Sequence, residues 1–178
     1  MTREAPIDPT RIEWPTARLD PVARMRALAS ALPHVAIDET VFDVEFDRLW
    51  QYVSDLEHST PQYEAAVSRA RVLSRHPETP PVSDDPETDG ATPPTGERIE
   101  LETRAPFGGP WMRFDVVLRP GWCLMRSRFG EVGMAARPEA PGRTRFIHFE
   151  GARWLGRLGR PLFAWNIRQD FRKLRARL

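Results

Sequence analysis

The chain contains few residues that could carry covalent or metal chemistry. Cys123 is the only cysteine, so an internal disulfide and a CxxC metal motif are both absent. A zinc or iron–sulfur site built on a Cys/His cluster is therefore excluded. His34, His58 and His76 fall in stretches that we interpret as surface or loop, and we find no histidine–carboxylate set that would hold a metal. The sequence thus predicts no metal and no cofactor.

Two residues are candidate nucleophiles, and neither has the surroundings that a nucleophile needs. Cys123 is predicted to pair across a hairpin with Leu118, which favours a buried, inert thiol. Ser127 lacks the GxSxG context of a serine hydrolase. The sequence therefore does not favour nucleophilic catalysis.

General acid–base catalysis needs a titratable group within reach of the substrate. The predicted strand register places no Asp, Glu or His on the inner face of residues 99–136. Glu39 could point inward, and His148 would do so if the last strand has the opposite orientation to the one we assign. Arg145 faces inward under our assignment and could bind an anionic or enol oxygen. Because charged groups are rarely buried unpaired, a rim or surface position is favoured for all three.

The composition is that of an ordinary globular chain. Its 178 residues suit one domain, and 40% are hydrophobic and 29% charged. The net charge of +1 gives no global field that would attract nucleic acid, so no nucleic-acid partner is predicted. No apolar run marks a signal peptide in residues 1–15 or a membrane span, and we expect a cytoplasmic protein.

Two segments stand apart from the predicted core. Residues 1–33 read as an N-terminal extension, irregular up to residue 20 and then a short helix that starts at Pro21. Residues 76–96 form a proline-rich acidic insert that cannot bury enough apolar area to order itself. We interpret the insert as a flexible loop between strands, with a mobile flap as the alternative.

The elements between these segments follow from periodicity. A strand is predicted from His34 to Val44, then a helix with Asp47 as N-cap, and a second helix that starts at Thr60-Pro61. Residues 68–74 read as a weak strand, and residues 98–105 and 111–119 alternate with a period of two. Two further strands follow, over residues 132–136 and 143–150.

The dipeptide Pro120-Gly121 predicts a hairpin with a defined register. If it is a two-residue loop, Arg119 faces Trp122 and Asp115 faces Arg126, which places opposite charges across the strands. The inner face then carries the pairs Leu118/Cys123, Val116/Met125, Phe114/Ser127 and Met112/Phe129. This one register therefore gives a mainly apolar inner face and an outer face with paired opposite charges.

The C-terminal third completes the predicted sheet and covers it. In the last strand we assign Ile147 and Phe149 inward, which leaves Phe146, His148 and Glu150 outward. A helix then begins near Pro161. Its apolar stripe is Phe163, Ile167, Phe171, Leu174 and Leu178, and basic residues flank the stripe.

The stretch FDRLWQYVSDLEHSTPQYEAAV, residues 46–67, carries a family resemblance. Its pattern of apolar residue and Trp, then Ser-Asp, then Pro and an aromatic residue occurs here as Leu49, Trp50, Ser54, Asp55, Pro61 and Tyr63. It resembles the START-like (SRPBCC) superfamily of polyketide cyclases, lipid-transfer domains and Bet v 1 relatives. The resemblance covers about residues 34–178, and the N-terminal extension and the insert lie outside the common core.

The resemblance implies an α+β helix-grip fold. In that fold a curved antiparallel sheet of about seven strands wraps a long C-terminal helix, two short helices follow the first strand, and a deep cavity lies between sheet and helix. The residues we expect to line it are Thr103, Phe114, Val116, Met125, Ser127, Met134, Arg145, Phe149, Phe163 and Ile167. A filled core is the alternative interpretation of the same face.

Three functions follow from these expectations. The first is binding of a hydrophobic or aromatic small molecule, lipid or polyketide-like, in the cavity. The second is an enzyme of the polyketide cyclase/aromatase type that uses the same cavity. The third is a lipid carrier that contacts a membrane surface through the basic C-terminal helix.

Overall fold

One antiparallel sheet of seven strands organises the computed structural model, which describes residues 19–78 and 96–178. The strands are β1 (Val35–Phe42), β2 (Arg69–Pro77), β3 (Glu97–Arg104), β4 (Trp111–Arg119), β5 (Trp122–Arg126), β6 (Gly130–Ala140) and β7 (Arg143–Ala152). The helices are α1 (Pro21–Ser30), α2 (Phe46–Ser54), α3 (Thr60–Tyr63) and α4 (Arg160–Arg175). Short 3₁₀ segments span Pro106–Gly108 and Arg153–Gly159.

The order of strands across the sheet is β1-β7-β6-β5-β4-β3-β2. Strands β2 to β7 therefore follow one another as a meander, while β1 and β2 lie at opposite edges and are joined through α2 and α3. Helix α4 packs on one face of the sheet, chiefly against β1 and β7. This arrangement confirms the predicted α+β helix-grip fold.

The sheet buries apolar side chains on both faces, which we call the α4 face and the α1 face. The core on the α4 face is the larger and combines strand residues with α2, α3 and α4, including Leu49, Tyr63 and Ile167. On the α1 face, Met25 and its helix pack against Ile147, Phe149 and neighbouring strand residues. The helix predicted at Pro21 is therefore part of the packed structure, while residues 1–18 lie outside the described residues.

The predicted hairpin is confirmed around Gly121, which has a φ of +72°. Val116 pairs with Met125 and Leu118 with Cys123, and Asp115 pairs with Arg126 as expected. Strand β5 ends at Arg126, so the two further predicted pairs, Phe114/Ser127 and Met112/Phe129, lie beyond the ladder. Ser127 begins a tight turn instead, where its Oγ accepts hydrogen bonds from the N–H groups of Phe129 and Gly130.

The predicted orientation of the last strand is wrong. Phe146 and its neighbours His148 and Glu150 face α4, whereas Ile147 and Phe149 face α1. The Phe146 ring packs edge-on against the Phe171 ring of α4, with 5.9 Å between ring centroids. Because both faces of β7 are covered, apolar residues occupy both sets of alternate positions and the sequence pattern does not decide between them.

Arg145 consequently points to the α1 face and not into the cavity. Its guanidinium donates to Glu39, with 2.7 Å between Nη1 and Oε1, and to Glu139, with 2.6 Å between Nη2 and Oε1. Glu39 lies on the same outer face, where Arg26 of α1 also contacts it at 2.7 Å. Glu39 and Arg145 thus neutralise each other's charge on the α1 face, outside the predicted site.

Other boundaries differ slightly from the sequence-based expectations. The N-cap of α2 is Glu45, and Asp47 lies in the first turn. The predicted insert is shorter than residues 76–96, because β2 continues to Pro77 and Glu78 forms an ion pair with Arg119. Residues 79–95 lie outside the described residues. No helix in the described part of the chain is long and apolar enough to cross a membrane.

Candidate functional site

A cavity of about 460 Å³ lies between the α4 face of the sheet and the helices α3 and α4. Strands β3 to β7 contribute its floor, and Phe163 contributes from α4. Most of its lining is apolar, with Phe114, Met112, Met125 and Val132 exposing side chains to the empty volume. A volume of this size is in the range of small-molecule sites, roughly 300–1,000 Å³.

The ten predicted site residues fall into three groups. The residues that line the cavity are Thr103, Phe114, Met125, Ser127 and Phe163. Val116, Met134 and Ile167 lie on the same face but are packed into the adjoining core. Arg145 and Phe149 lie on the opposite face, because β7 has the orientation opposite to the one predicted.

The cavity wall also contains polar residues that the sequence analysis missed. Thr60, Glu64 and Glu150 border the empty volume, and all three are buried. Glu64 follows α3 as its C-cap residue, and Glu150 belongs to the set of β7 residues that the sequence pattern predicts to face outward. Phe146, His148 and Glu150 alternate along β7. The opposite orientation of this strand would have predicted Glu150 as a cavity residue.

Behind this wall lies a buried carboxylate–histidine cluster, composed of Glu64, His148, Glu150 and Asp170. His148 Nε2 is 3.1 Å from Glu150 Oε1, 3.6 Å from Glu64 Oε1 and 3.7 Å from Asp170 Oδ2. All four side chains are at most 5% exposed. Residues from β7, α4 and the end of α3 therefore bring four titratable groups together inside the protein.

Local structure explains how each member reaches this point. His148 and Glu150 are two residues apart in a strand, so they share a face. Asp170 lies on the buried stripe of α4 between Ile167 and Phe171. The backbone N–H of Ala65 donates to Asp170 Oδ1 at 2.6 Å and joins the segment after α3 to α4.

The cluster shifts the protonation of its members strongly. Burial raises the pKa of Glu64 to about 7, and burial together with the charge of Glu64 raises the pKa of Asp170 to about 9. Burial alone would lower the pKa of His148, but the surrounding carboxyl groups outweigh it and raise that pKa to about 9. Burial likewise opposes the ionisation of Glu150, yet the hydrogen bond with His148 leaves its pKa below the ordinary value.

Several polar atoms of the cluster have no hydrogen-bond partner among the described residues. They are Glu64 Oε1, Asp170 Oδ2 and His148 Nδ1, and Thr60 Oγ1 on the cavity wall shares this property. The four possible ligand atoms of the cluster all lie within 4.8 Å of one another. The four residues therefore form a histidine–carboxylate set with possible metal-ligand spacing, which the sequence analysis does not identify.

Exposed apolar side chains lie at the cavity mouth and in the chain segment that follows Trp154. Phe129 and Trp154 line the cavity and are 41% and 73% exposed. Leu158 and Leu162, which follow Trp154 along the chain, are also largely exposed. Arg157 and Arg160 alternate with them, and within residues 19–78 and 96–178 no carboxylate forms an ion pair with either.

Comparison with known proteins shows the fold. A START superfamily protein from Mycobacterium smegmatis matches with a TM-score of 0.55 and 14% identity, over 81% of this chain and 96% of that chain. An 18 kDa protein from Caulobacter crescentus matches with a TM-score of 0.55 and 16% identity, over 80% and 91% of the two chains.

An aromatase/cyclase from a Streptomyces species matches with a TM-score of 0.48 and 13% identity, over 81% of this chain and 93% of that chain. No family model and no curated protein matches the sequence. The predicted START-like fold is thus confirmed at the level of architecture.

Proposed function

We propose that this START-like chain binds a hydrophobic or aromatic small molecule in the cavity between the sheet and α4. The observation that carries the proposal is the cavity itself, which has a volume of about 460 Å³ and a mainly apolar lining. Aromatic and methionine side chains such as Phe114 and Met125 suit an apolar guest, because they offer polarisable surface without hydrogen-bonding groups that would be left unpaired.

The polar wall defines a second property of the proposed ligand. Thr60 Oγ1 is buried and has no partner in the described structure, and the carboxyl groups of Glu64 and Glu150 border the same volume. Binding is more favourable when the ligand supplies the hydrogen bond that a buried polar atom lacks. We therefore expect an apolar molecule that carries at least one hydroxyl or carbonyl group.

The binding proposal is tested with Met125, which is 5% exposed and lines the cavity. In Met125→Arg a charged side chain would enter the apolar volume, so uptake of a neutral fluorescent probe such as N-phenyl-1-naphthylamine should be lost. The control is Met125→Leu, a swap that nearly conserves volume and costs less than about 1.5 kcal/mol. Fluorescence titration, with circular dichroism to verify folding, measures both variants.

Two results would contradict the binding proposal. One is a wild-type protein that shows no saturable probe binding and yields no copurified small molecule in native mass spectrometry. The other is a folded Met125→Arg variant that binds the probe as tightly as Met125→Leu does.

The cyclase/aromatase alternative is favoured by a different observation, the two carboxyl groups on the cavity wall. Glu64, whose pKa is raised to about 7, could in its protonated form donate a hydrogen bond to a carbonyl group of a reactive chain, and the Glu150 carboxylate could accept one from an enol hydroxyl. The test is incubation with a poly-β-carbonyl thioester mimic, followed by mass spectrometry of products. Cyclised product should exceed that formed with Met125→Arg, and equal yields would eliminate this alternative.

The carrier alternative is supported by the mouth of the cavity. Exposed Trp154, Leu158 and Leu162, together with Arg157 and Arg160, form what we call the rim. Tryptophan and arginine next to exposed leucines are typical of surfaces that rest on anionic lipid. A carrier would use the rim to exchange its ligand with a membrane.

A further inference from the structure

We propose that the carboxylate–histidine cluster is a binding site for one divalent first-row transition-metal ion. The ligand atoms would be His148 Nε2, Glu64 Oε1, Glu150 Oε1 and Asp170 Oδ2. The proposal concerns the cluster alone and does not depend on which molecule occupies the cavity.

The spacing of the four atoms suits a common ion. The three distances from His148 Nε2 to the carboxylate oxygens are 3.1, 3.6 and 3.7 Å. Nitrogen and oxygen ligands bind such an ion at about 2.0–2.2 Å, which puts neighbouring ligand atoms roughly 3.0–3.5 Å apart. The four atoms lie within 4.8 Å of one another, so the more distant oxygens would have to move closer together to surround an ion.

Carboxyl groups outnumber cationic groups in the cluster. Three carboxyl groups face one imidazole, and the only lysine of the chain, Lys173, has its Nζ 3.4 Å from the backbone oxygen of Glu64. Glu64 Oε1 and Asp170 Oδ2 accept no hydrogen bond in the described structure, although the two side chains are only 5% and 1% exposed. Unpartnered carboxyl oxygens are costly to bury, and a cation between them would supply what is missing.

A second histidine–glutamate pair, in which the glutamate is buried, has partners for both carboxylate oxygens without a metal. On the α1 face, Glu131 contacts His34 at 2.7 Å and also accepts hydrogen bonds from the Arg153 guanidinium. Both of its oxygens are therefore partnered by cationic or hydrogen-bonding groups. In the part of the chain that the structure describes, no arginine forms an ion pair with Glu64 or Asp170.

The outer oxygens of the proposed ligands are already held in place. Asn166 Nδ2 donates to Glu150 Oε2 at 3.1 Å, and the Ala65 N–H donates to Asp170 Oδ1. Such contacts orient ligands, since they leave the opposite oxygen of each carboxylate directed at the centre. Glu64 and Glu150 also border the cavity, which gives an ion a path to the site.

The donor set indicates the class of ion. One imidazole nitrogen with three carboxylate oxygens suits Mn²⁺, Fe²⁺ or Zn²⁺ better than ions that take oxygen ligands alone. An ion held here would present a Lewis acid to an oxygen atom of a molecule in the cavity.

The experiment uses the full chain, stripped with a chelator and titrated separately with Mn²⁺ and Zn²⁺. We expect at least one of the two ions to bind at one per chain by calorimetry and elemental analysis, and to raise the melting temperature. Asp170→Asn and Glu150→Gln should each weaken binding by at least about tenfold. Glu131→Gln, which alters the buried glutamate on the other face, should bind the ion as the wild type does.

Several outcomes would overturn the proposal. If the wild-type protein binds neither ion saturably, the proposal is overturned by that result alone. Wild-type affinity in both Asp170→Asn and Glu150→Gln would place the ion elsewhere, as would an equal loss of affinity in Glu131→Gln. If one cluster variant does not fold, the other variant and the wild-type titration still decide.

Discussion

Glu64 and Glu131 are both buried beside a histidine, yet their chemistry differs because of one neighbour. Arg153 donates to Glu131 through Nε at 2.9 Å, so that carboxylate has a permanent cation. Burial would raise the pKa of Glu131, but the hydrogen bonds from Arg153 and His34 outweigh burial and lower it. Without such an arginine, burial dominates at Glu64 and raises its pKa. The presence of one guanidinium thus distinguishes Glu131, a structural carboxylate, from Glu64, a candidate functional one.

The lowered pKa of Glu131 makes a prediction about acid stability. A carboxylate whose pKa is lower in the folded state stabilises the fold above its ordinary pKa, 4.5 here, and that contribution is lost as the pH falls through the folded value. Glu131→Gln should therefore lower the urea midpoint at pH 7. The difference from wild type should shrink in acid, as Glu131 becomes protonated. A difference that stays constant from neutral pH down to about pH 3 would contradict this role.

The strands differ in how much their sequences reveal. Strand β3 and most of β4 alternate between apolar and polar residues, and Pro120-Gly121 sets the register of β5 against β4, so the hairpin register and the cavity residues Thr103, Phe114 and Met125 could be predicted. Strand β7 is covered by α4 on one face and by α1 on the other. Its two faces are therefore both buried, and the alternation that would orient it is lost.

Because the orientation of β7 is ambiguous, the buried cluster could not be predicted from the sequence either. The sequence pattern predicts an outward orientation for His148 and Glu150, and Asp170 occurs within a helix whose apolar stripe is otherwise regular. Glu64 lies in a short segment with no periodicity. The cluster depends on contacts between residues far apart in sequence, which periodicity does not report.

At the scale of elements, the docking of α1 depends on Gly133 in β6. A Cβ added there would lie 2.2 Å from a ring carbon of Phe149 and 2.8 Å from Met25 Sδ. Gly133→Ala should therefore lower the free energy of unfolding by about 1–3 kcal/mol, the usual cost of overpacking a core. Urea denaturation followed by circular dichroism measures the change.

Gly109, in the loop before β4, gives the matched control. The Cβ of Gly109→Ala would meet only the Ala105 Cβ, at 3.3 Å. We expect this variant to unfold within about 0.5 kcal/mol of wild type, as surface substitutions usually do. Equal effects of the two alanines would argue against the close contact between α1 and the sheet.

Viewed as a whole molecule, the protein presents an apolar and basic rim beside the mouth of its cavity. If the rim contacts lipid, the protein should bind vesicles that contain phosphatidylglycerol and should dissociate as ionic strength rises above about 0.1 M, where the Debye length falls below about 10 Å. Replacing both Trp154 and Leu158 by Ser should weaken the binding, because each is largely exposed and would lose its apolar contact with lipid.

The control for the vesicle measurement is Leu73→Ser, which alters an exposed leucine of β2 that is not part of the rim. Co-sedimentation of the three proteins with vesicles gives the comparison. Binding that is indifferent to salt, or that falls equally in Leu73→Ser, would exclude the rim as the membrane contact.

The strand order across the sheet has a consequence for how the protein is made. Strand β1 forms its ladder with β7, and the Thr144 hydroxyl donates to the carbonyl of Val44, 100 residues earlier. Contacts that span such long stretches of chain slow folding, since the closure entropy of the loop must be overcome first. The β3–β6 meander can form while the ribosome is still translating, but β1 must wait for β7. The space between the sheet and α4 therefore closes last during synthesis, and the molecule that the completed protein is proposed to bind would enter it post-translationally.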